Sequence, residues 1–258
     1  MSKRVGIVVP TLGRRPDYLR QCLESIRSAG SAHICIVAPP TFESGSLIDS
    51  GLADQFALDP AKGLSEAINH GIASLPEHLE YVNWLGDDDL LAPGSLQLAT
   101  DELDSDESVV LVYGSCDYVD PSGQKVWANQ SGPWAAPLLH FGPDLIPQPG
   151  ALFRRDAFET VGGLSNAYDW AFDFDLLLKL KGIGKLKFLD ATLASFRWHP
   201  ESLSVEFRKK SVSEASQVRI AHLPKALKPF SWLWEYPVKK ATLIAGSRVT
   251  SRAKRLAK

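Results

Sequence analysis

The run Val5-Gly6-Ile7-Val8-Val9 is apolar without a break and stops at Pro10-Thr11. An unbroken run of β-branched residues marks a strand covered on both faces. Behind it, Leu19, Cys22, Leu23 and Ile26 fall at helical spacing after Pro16, a favoured first-turn residue. The alternation then repeats. His33 to Val37 reads as a second strand and Phe56-Ala57-Leu58 as a short third. Leu64, Ala67, Ile68 and Ile72 space a helix, and Tyr81 to Leu85 forms another strand. Fully covered strands separated by helices require a mainly parallel sheet with right-handed crossovers, so the chain is expected to be α/β with a Rossmann-like sheet flanked by helices. Ligands of such sheets bind beyond the strands' carboxyl ends, where Pro10-Thr11 and Asp87-Asp88-Asp89 both stand.

Further along, Pro93 with Leu96, Leu98 and Leu103 predicts a helix, and Val109 to Tyr113 a strand. The turn signal Asp120-Pro121-Ser122-Gly123 joins Tyr118-Val119 to Lys125-Val126-Trp127 in a hairpin. Residues 129–150 carry five prolines and Trp134 without periodicity, the pattern of a long functional loop. A short helix holds Phe158 and Val161 and closes at Gly162-Gly163. Another spans Asp169 to Lys181, opened by Asp173 and Asp175, and Lys187-Phe188-Leu189 is a last short strand.

Three adjacent carboxylates repel one another unless a cation or several donors share their charge. If extended, Asp87 and Asp89 face one way, about 7 Å apart, and Asp88 the other. Hard divalent ions such as Mg2+ or Mn2+ take oxygen ligands, often one or two carboxylates plus substrate phosphates. The competing reading is that the acids cap the following helix.

Length and composition fit one α/β domain with an appendage, or two small domains, and Cys22, Cys35 and Cys116 lack the spacing of a disulfide framework or zinc site. No apolar run approaches the 18 or so residues of a membrane span, and Val5–Val9 is too short for a signal-peptide core. A cytoplasmic location is therefore expected, with the inner membrane face as an option. Charge is unevenly divided: residues 205–258 hold 13 Lys and Arg against 3 acids, net +10, and the remainder is net −12.

Five segments together resemble the family two glycosyltransferases of the GT-A fold, over about residues 4–204. These are Val8-Val9-Pro10-Thr11-Leu12-Gly13-Arg14, Gly63-Leu64-Ser65-Glu66-Ala67-Ile68-Asn69-His70-Gly71, and Trp84-Leu85-Gly86-Asp87-Asp88-Asp89 with Pro93-Gly94. The fourth is Gln148-Pro149-Gly150 to Arg155 with Val161-Gly162-Gly163-Leu164 and Asp173-Phe174-Asp175-Leu176, and the fifth is Phe196-Arg197-Trp198-His199. The resemblance implies inverting transfer of a sugar from a nucleotide diphosphate donor, with Mn2+ or Mg2+, in cell-surface polysaccharide synthesis. It divides the chain into a catalytic domain, 1–204, and a basic helical extension, 205–258. Within the first, the nucleotide part is about 1–115 and the acceptor part about 116–204.

The resemblance also implies roles. Asp89 is expected to bind the metal directly, Asp87 the metal or the ribose, and Asp88 to support the site or touch the donor sugar. Asp173 aligns with the general base, and Asp175 is its rival on the acceptor side. His199 is expected at the metal or diphosphate, and Arg197 at a phosphate or in a core ion pair. Pro10, Thr11 and Leu12 would line the base pocket, Lys62 would reach the base or diphosphate, and Gln148 would lie near the acceptor. Asn69 is a donor-side candidate whose expected work is to hold its helix to the strand loop. Many family members bind uracil through an aspartate after the second strand. Here Ala38-Pro39-Pro40 stands instead, which leaves UDP, dTDP and GDP sugars open.

In the extension, aromatics between Phe230 and Tyr236 beside several lysines suit a membrane interface, and a lipid-linked acceptor would profit from that location. Packing on the catalytic part or on a second subunit is the other expectation, and nucleic acid is not expected as a partner, because the acidic part would repel it. Two other functions remain from sequence: an inactive scaffold of the same fold, and a sugar nucleotidyltransferase. The latter is disfavoured by the lack of a glycine-rich, lysine-bearing loop after the first strand.

Overall fold

The computed structural model describes residues 3–129, 131–198 and 208–256. Among the described residues nine strands form one sheet: β1 (Val5–Pro10), β2 (Ala32–Ala38), β3 (Gln55–Leu58), β4 (Tyr81–Trp84), β5 (Leu90–Leu91), β6 (Val109–Val119), β7 (Lys125–Asn129), β8 (Leu152–Arg154) and β9 (Lys185–Arg197). Their order is β3-β2-β1-β4-β8-β6-β9-β5, with β7 on β6. The half from β3 to β4 is parallel, as the alternation requires. Beyond it the antiparallel β8 bridges β4 to β6, and β9 runs parallel to β6.

Helices cover both faces. Helix α1 (Pro16–Ala29), the short α2 (Gly45–Asp49) and, after α3 (Leu64–Ser74), α4 (Ser95–Ser105) share one core with Val5, Ile7 and Val9. On the other face α3, α6 (Arg155–Thr160) and α7 (Phe172–Lys181) pack around Val8, Val37 and Phe153; α5 (Ala135–Leu138) joins the same core through Ala135 and Ala136. Thus alternate residues of β1 serve opposite cores, which is why the run carries no polar residue.

The last strand is longer than the triplet Lys187-Phe188-Leu189 suggests. β9 continues to Arg197 because β6 pairs with it along its length and β5 pairs with Ala194 and Ser195. β5 and β8 are two and three residues long. Neither has enough periodicity to announce itself. In α4 it is Leu96, Ala99 and Leu103 that are buried, while Leu98 faces out. The hairpin forms at the expected turn: the Asp120 carboxylate accepts the N–H groups of Ser122 and Gln124, each at 2.9 Å, and Gly123 takes φ +87°.

After residue 207 the chain forms α8 (Arg208–His222) and α9 (Trp232–Leu256). Val218 of α8 enters the core beside α7. Arg219 and Glu235 tie the two helices by paired bonds of 2.8 and 2.9 Å, both side chains buried. Among the described residues no helix is long and apolar enough to cross a membrane.

Gly71 sets the distance between α3 and the sheet, since a Cβ there would lie 2.6 and 2.7 Å from methyl carbons of Val8 and Val37. Both neighbours are stiff β-branched side chains. Gly71→Ala should therefore destabilise the fold by about 1–3 kcal/mol, whereas Gly45→Ala, with open space in α2, should be neutral or slightly stabilising. Chemical denaturation of the two variants checks the contrast, and equal stability would refute this packing.

Candidate active site

A single crevice opens beyond the carboxyl ends of β1 and β4. Its wall includes Pro10, Arg15, Asp87, Asp88, Asp89 and Gln148, together with Asp169, Trp170 and Asp173. Its volume is about 310 Å3. Parallel pairing aligns the two strand ends: Val8 lies opposite Trp84, and the Leu85 N–H continues the ladder to the Val8 carbonyl at 2.9 Å. The loops that leave these strands consequently emerge side by side.

The three acids are not extended. The strand stops at Trp84, and the Asp89 N–H donates to the Gly86 carbonyl at 3.1 Å, so residues 86–89 form a turn. This corrects the expected alternation, because all three acids line the crevice. Each has its own partner. Asp87 accepts a 2.5 Å bond from the Thr11 hydroxyl, which itself accepts the Gly13 N–H at 3.0 Å. Asp88 pairs with Arg15 at 2.6 Å. Buried Asp89 accepts the Arg197 N–H at 3.0 Å. Burial, then repulsion from Asp88, pushes the Asp89 carboxyl well above the ordinary range, with Asp87 adding to the effect.

Such a set fits a hard divalent cation. Among the described residues no group of three His, Cys, Asp or Glu side chains is placed to hold an ion. Mg2+ and Mn2+ do not need one: two carboxylates here and phosphate oxygens of a ligand make a suitable oxygen shell. His199 lies outside the described residues. Arg197 is buried: its guanidinium donates to the Asp88 carbonyl, the Pro121 carbonyl and Gln21, and it lies 4.4 Å over the Tyr18 ring.

Asp173 stands in the first turn of α7. Burial raises its carboxyl to about 6, against the Phe174 N–H that bonds it at 2.8 Å. Asp144, in the proline-rich loop, has a carboxyl held well above its ordinary value by burial and then by the Asp173 charge. A charged Asp173 therefore makes Asp144 hold its proton more tightly. Asp144 carries no sequence signal, because its importance comes only from where the loop folds.

Other expected residues fall elsewhere. Asp175 is turned away from the crevice and bonds His222 at 2.8 Å and Lys179 at 2.7 Å. Burial alone would raise its carboxyl, but these two partners outweigh burial and keep it below the ordinary range. Asn69 makes a two-way clamp with Leu164, donating at 2.8 Å and accepting at 3.0 Å, so it holds α3 to the Gly162-Gly163 turn rather than reaching the crevice. Lys62 and Leu12 are exposed and absent from the crevice wall. Gln148 does reach it, fixed by bonds of 2.9 Å to the Asn83 side chain and the Trp84 carbonyl.

The helix bearing Asp173 has no capping side chain of its own. Glu214 of α8 braces the segment that leads into it, accepting the Trp170 and Ala171 N–H groups at 2.7 and 3.1 Å and the Asp169 N–H at 3.4 Å. Ser211, one turn earlier, lines the crevice. The first helix of the basic segment is thus a wall of the site.

No protein-family model matches the chain. It is similar to an uncharacterized glycosyltransferase of Rickettsia felis, 24% identical over 217 residues that cover 76% of this chain and 34% of that protein. A chondroitin synthase of Escherichia coli is 24% identical over 213 residues, 78% of this chain and 30% of the synthase. The chain thus spans about a third of the length of these relatives. Among solved structures, the mannosyltransferase PcManGT of Pyrobaculum calidifontis, in complex with GDP-Man and Mn2+, superposes with TM-score 0.63 at 16% identity, covering 100% of this chain and 81% of that one. TarS 1-349 of S. aureus with UDP-GlcNAc gives TM-score 0.63 at 12% identity, covering 87% and 69%. The fold is that of the GT-A glycosyltransferases.

The raised Asp173 carboxyl costs stability when ionised. Its folded value, about 6, exceeds the unfolded 3.8, so its contribution is most favourable below pH 3.8 and is lost as pH rises through 6. Asp173→Asn should accordingly melt higher than the parent at pH 8, by a margin that shrinks toward acid pH; a lower melting temperature at pH 8 would overturn this reading. Glu214→Ala, by taking the carboxylate from the N–H groups that lead into α7, should lose about 1–2 kcal/mol, read by urea denaturation at neutral pH, and an unchanged midpoint would remove its bracing role.

Proposed function

We propose that the chain is a metal-assisted, inverting glycosyltransferase. It moves a sugar from a nucleoside diphosphate to a hydroxyl of a glycan or lipid-linked acceptor in polysaccharide synthesis. The observation that carries this reading is one crevice holding both a carboxylate cluster suited to a cation and a separate carboxyl raised to about 6. Support comes from the relatives, which include a chondroitin synthase, and from fold neighbours in complex with GDP-Man and with UDP-GlcNAc.

In this reading Thr11 and Pro10 border the nucleotide, and Asp87 and Asp89 hold the cation. A bound Mg2+ or Mn2+ would offset the charge growing on the leaving diphosphate. Asp173 accepts the acceptor hydroxyl proton as that oxygen forms its bond to the anomeric carbon and the carbon–phosphate-oxygen bond breaks. A single displacement of this kind inverts configuration. A carboxyl near 6 is ionised at neutral pH yet basic enough to take a proton, which suits a general base worth about 10²–10⁴-fold. Gln148, pinned by Asn83, orients the acceptor side. The donor base stays open among uracil, thymine and guanine, since the segment Ala38-Pro39-Pro40 offers no carboxylate.

Melting the protein with UDP, GDP and dTDP, each with and without Mn2+, tests the donor site. At least one nucleotide should stabilise it only with Mn2+, and Asp89→Asn should abolish that shift. No Mn2+-dependent shift with any nucleotide would sink the reading. With a donor in hand, Asp173→Asn should lower kcat by about 10²–10⁴-fold. The parent kcat/KM should fall as pH drops below about 6, as Asp173 gains its proton.

A further inference from the structure

Six large apolar side chains between Leu227 and Ile244 face outward: Leu227, Phe230, Trp232, Leu233, Tyr236 and Ile244. Trp232 and Tyr236 are 67% and 64% exposed. Monomeric surfaces rarely gather such residues without a partner. Within α9, Leu233, Tyr236, Lys240 and Ile244 recur at three- and four-residue spacing, which places them along one side of the helix.

This exposure is imposed by the opposite side of the same helix turn. Glu235 is buried and bonded bidentately to Arg219, whose remaining arm donates to the Gly142 carbonyl at 3.0 Å. Trp234 meets Phe141 edge-on, with ring centres 5.3 Å apart. Rotating Trp232, Leu233 and Tyr236 inward would break a buried ion pair, so the helix cannot hide them.

The chemistry around the patch identifies its partner. Lys225 and Lys240 are exposed beside it, and Lys240 lies 4.8 Å over the Tyr236 ring. Indole and phenol rings have an apolar body and a polar tip, and lysine carries its charge on an apolar stem. That combination fits the boundary between acyl chains and headgroups of an anionic bilayer. A second copy docking the same patch on itself would set lysine against lysine. We propose that this face of Leu227–Ile244 docks on an anionic lipid surface, as a helix lying on the membrane and not through it. The inference rests on the patch alone and holds whatever reaction the crevice performs.

Flotation of the full chain with vesicles tests it. Vesicles of phosphatidylcholine with roughly 30 mol% phosphatidylglycerol, an anionic share that gives a bilayer a useful surface potential, should bind at least about tenfold more protein than pure phosphatidylcholine, as two or more lysines near the surface require. The triple variant Trp232→Ser/Leu233→Ser/Tyr236→Ser should lose that binding while keeping its melting temperature, since these side chains are exposed. If the triple variant melts lower, Lys225→Glu/Lys240→Glu replaces it and should also lose binding to the anionic vesicles. Equal binding to both vesicle types, binding to neither, or binding unaffected by the variants overturns the proposal. So does a dimer in solution that the triple variant converts to monomer, because the patch would then belong to a second copy.

Discussion

Parallel pairing of β1 with β4 is the contact on which the site depends. With Val8 opposite Trp84, the loop after β4 leaves beside the last residues of β1, and Thr11 comes within 2.5 Å of Asp87. A one-residue slip would exchange the two cores, because Val8 faces one core while its neighbours Ile7 and Val9 face the other. The apolar faces therefore fix the register, and the register places polar residues that never take part in the core. Gly71 belongs to the same constraint, since it lets α3 lie close against Val8 and Val37.

Three acids in one turn would ordinarily be unfavourable, and the surrounding chain meets that in three ways. Thr11 donates to Asp87, Arg15 to Asp88 and the Arg197 backbone to Asp89. Of these three donors, Arg15 alone brings a full charge to its bond. Asp89, with a neutral N–H and burial, is left holding a proton more tightly than an aspartate normally does. A divalent ion would complete that unfinished neutralisation, which a mere helix cap would not require.

The parallel half of the fold was legible because its strands are covered on both faces and its helices are amphipathic. The short β5 and β8 were not, since they exist by pairing with longer neighbours. Within the site, the segments bearing Asp87 to Asp89, Gln148 and Asp173 could be read from the chain. The geometry of the triplet could not, because alternation presumes extension and a 3.1 Å turn bond replaced it. Asp175 and Asn69 share motifs with crevice residues, yet helix direction turns one to His222 and the other to Leu164. Asp144 and Glu214 were invisible for a different reason: each acts across a long sequence gap, and neither stands in a local pattern.

Glu214 also changes what the basic segment is. Charge alone separates residues 205–258 from the acidic remainder, but α8 is joined to α7 by a carboxylate at the amides that lead into it, by Val218 in the core and by His222 on Asp175. The Arg219–Glu235 pair then carries that rigidity into the first turns of α9. A continuous chain of contacts thus runs from the segment leading into α7 to the base of the exposed aromatic face. Whatever holds that face from outside acts on a helix whose near end is locked to the crevice wall, so the orientation of the crevice follows from the orientation of α9.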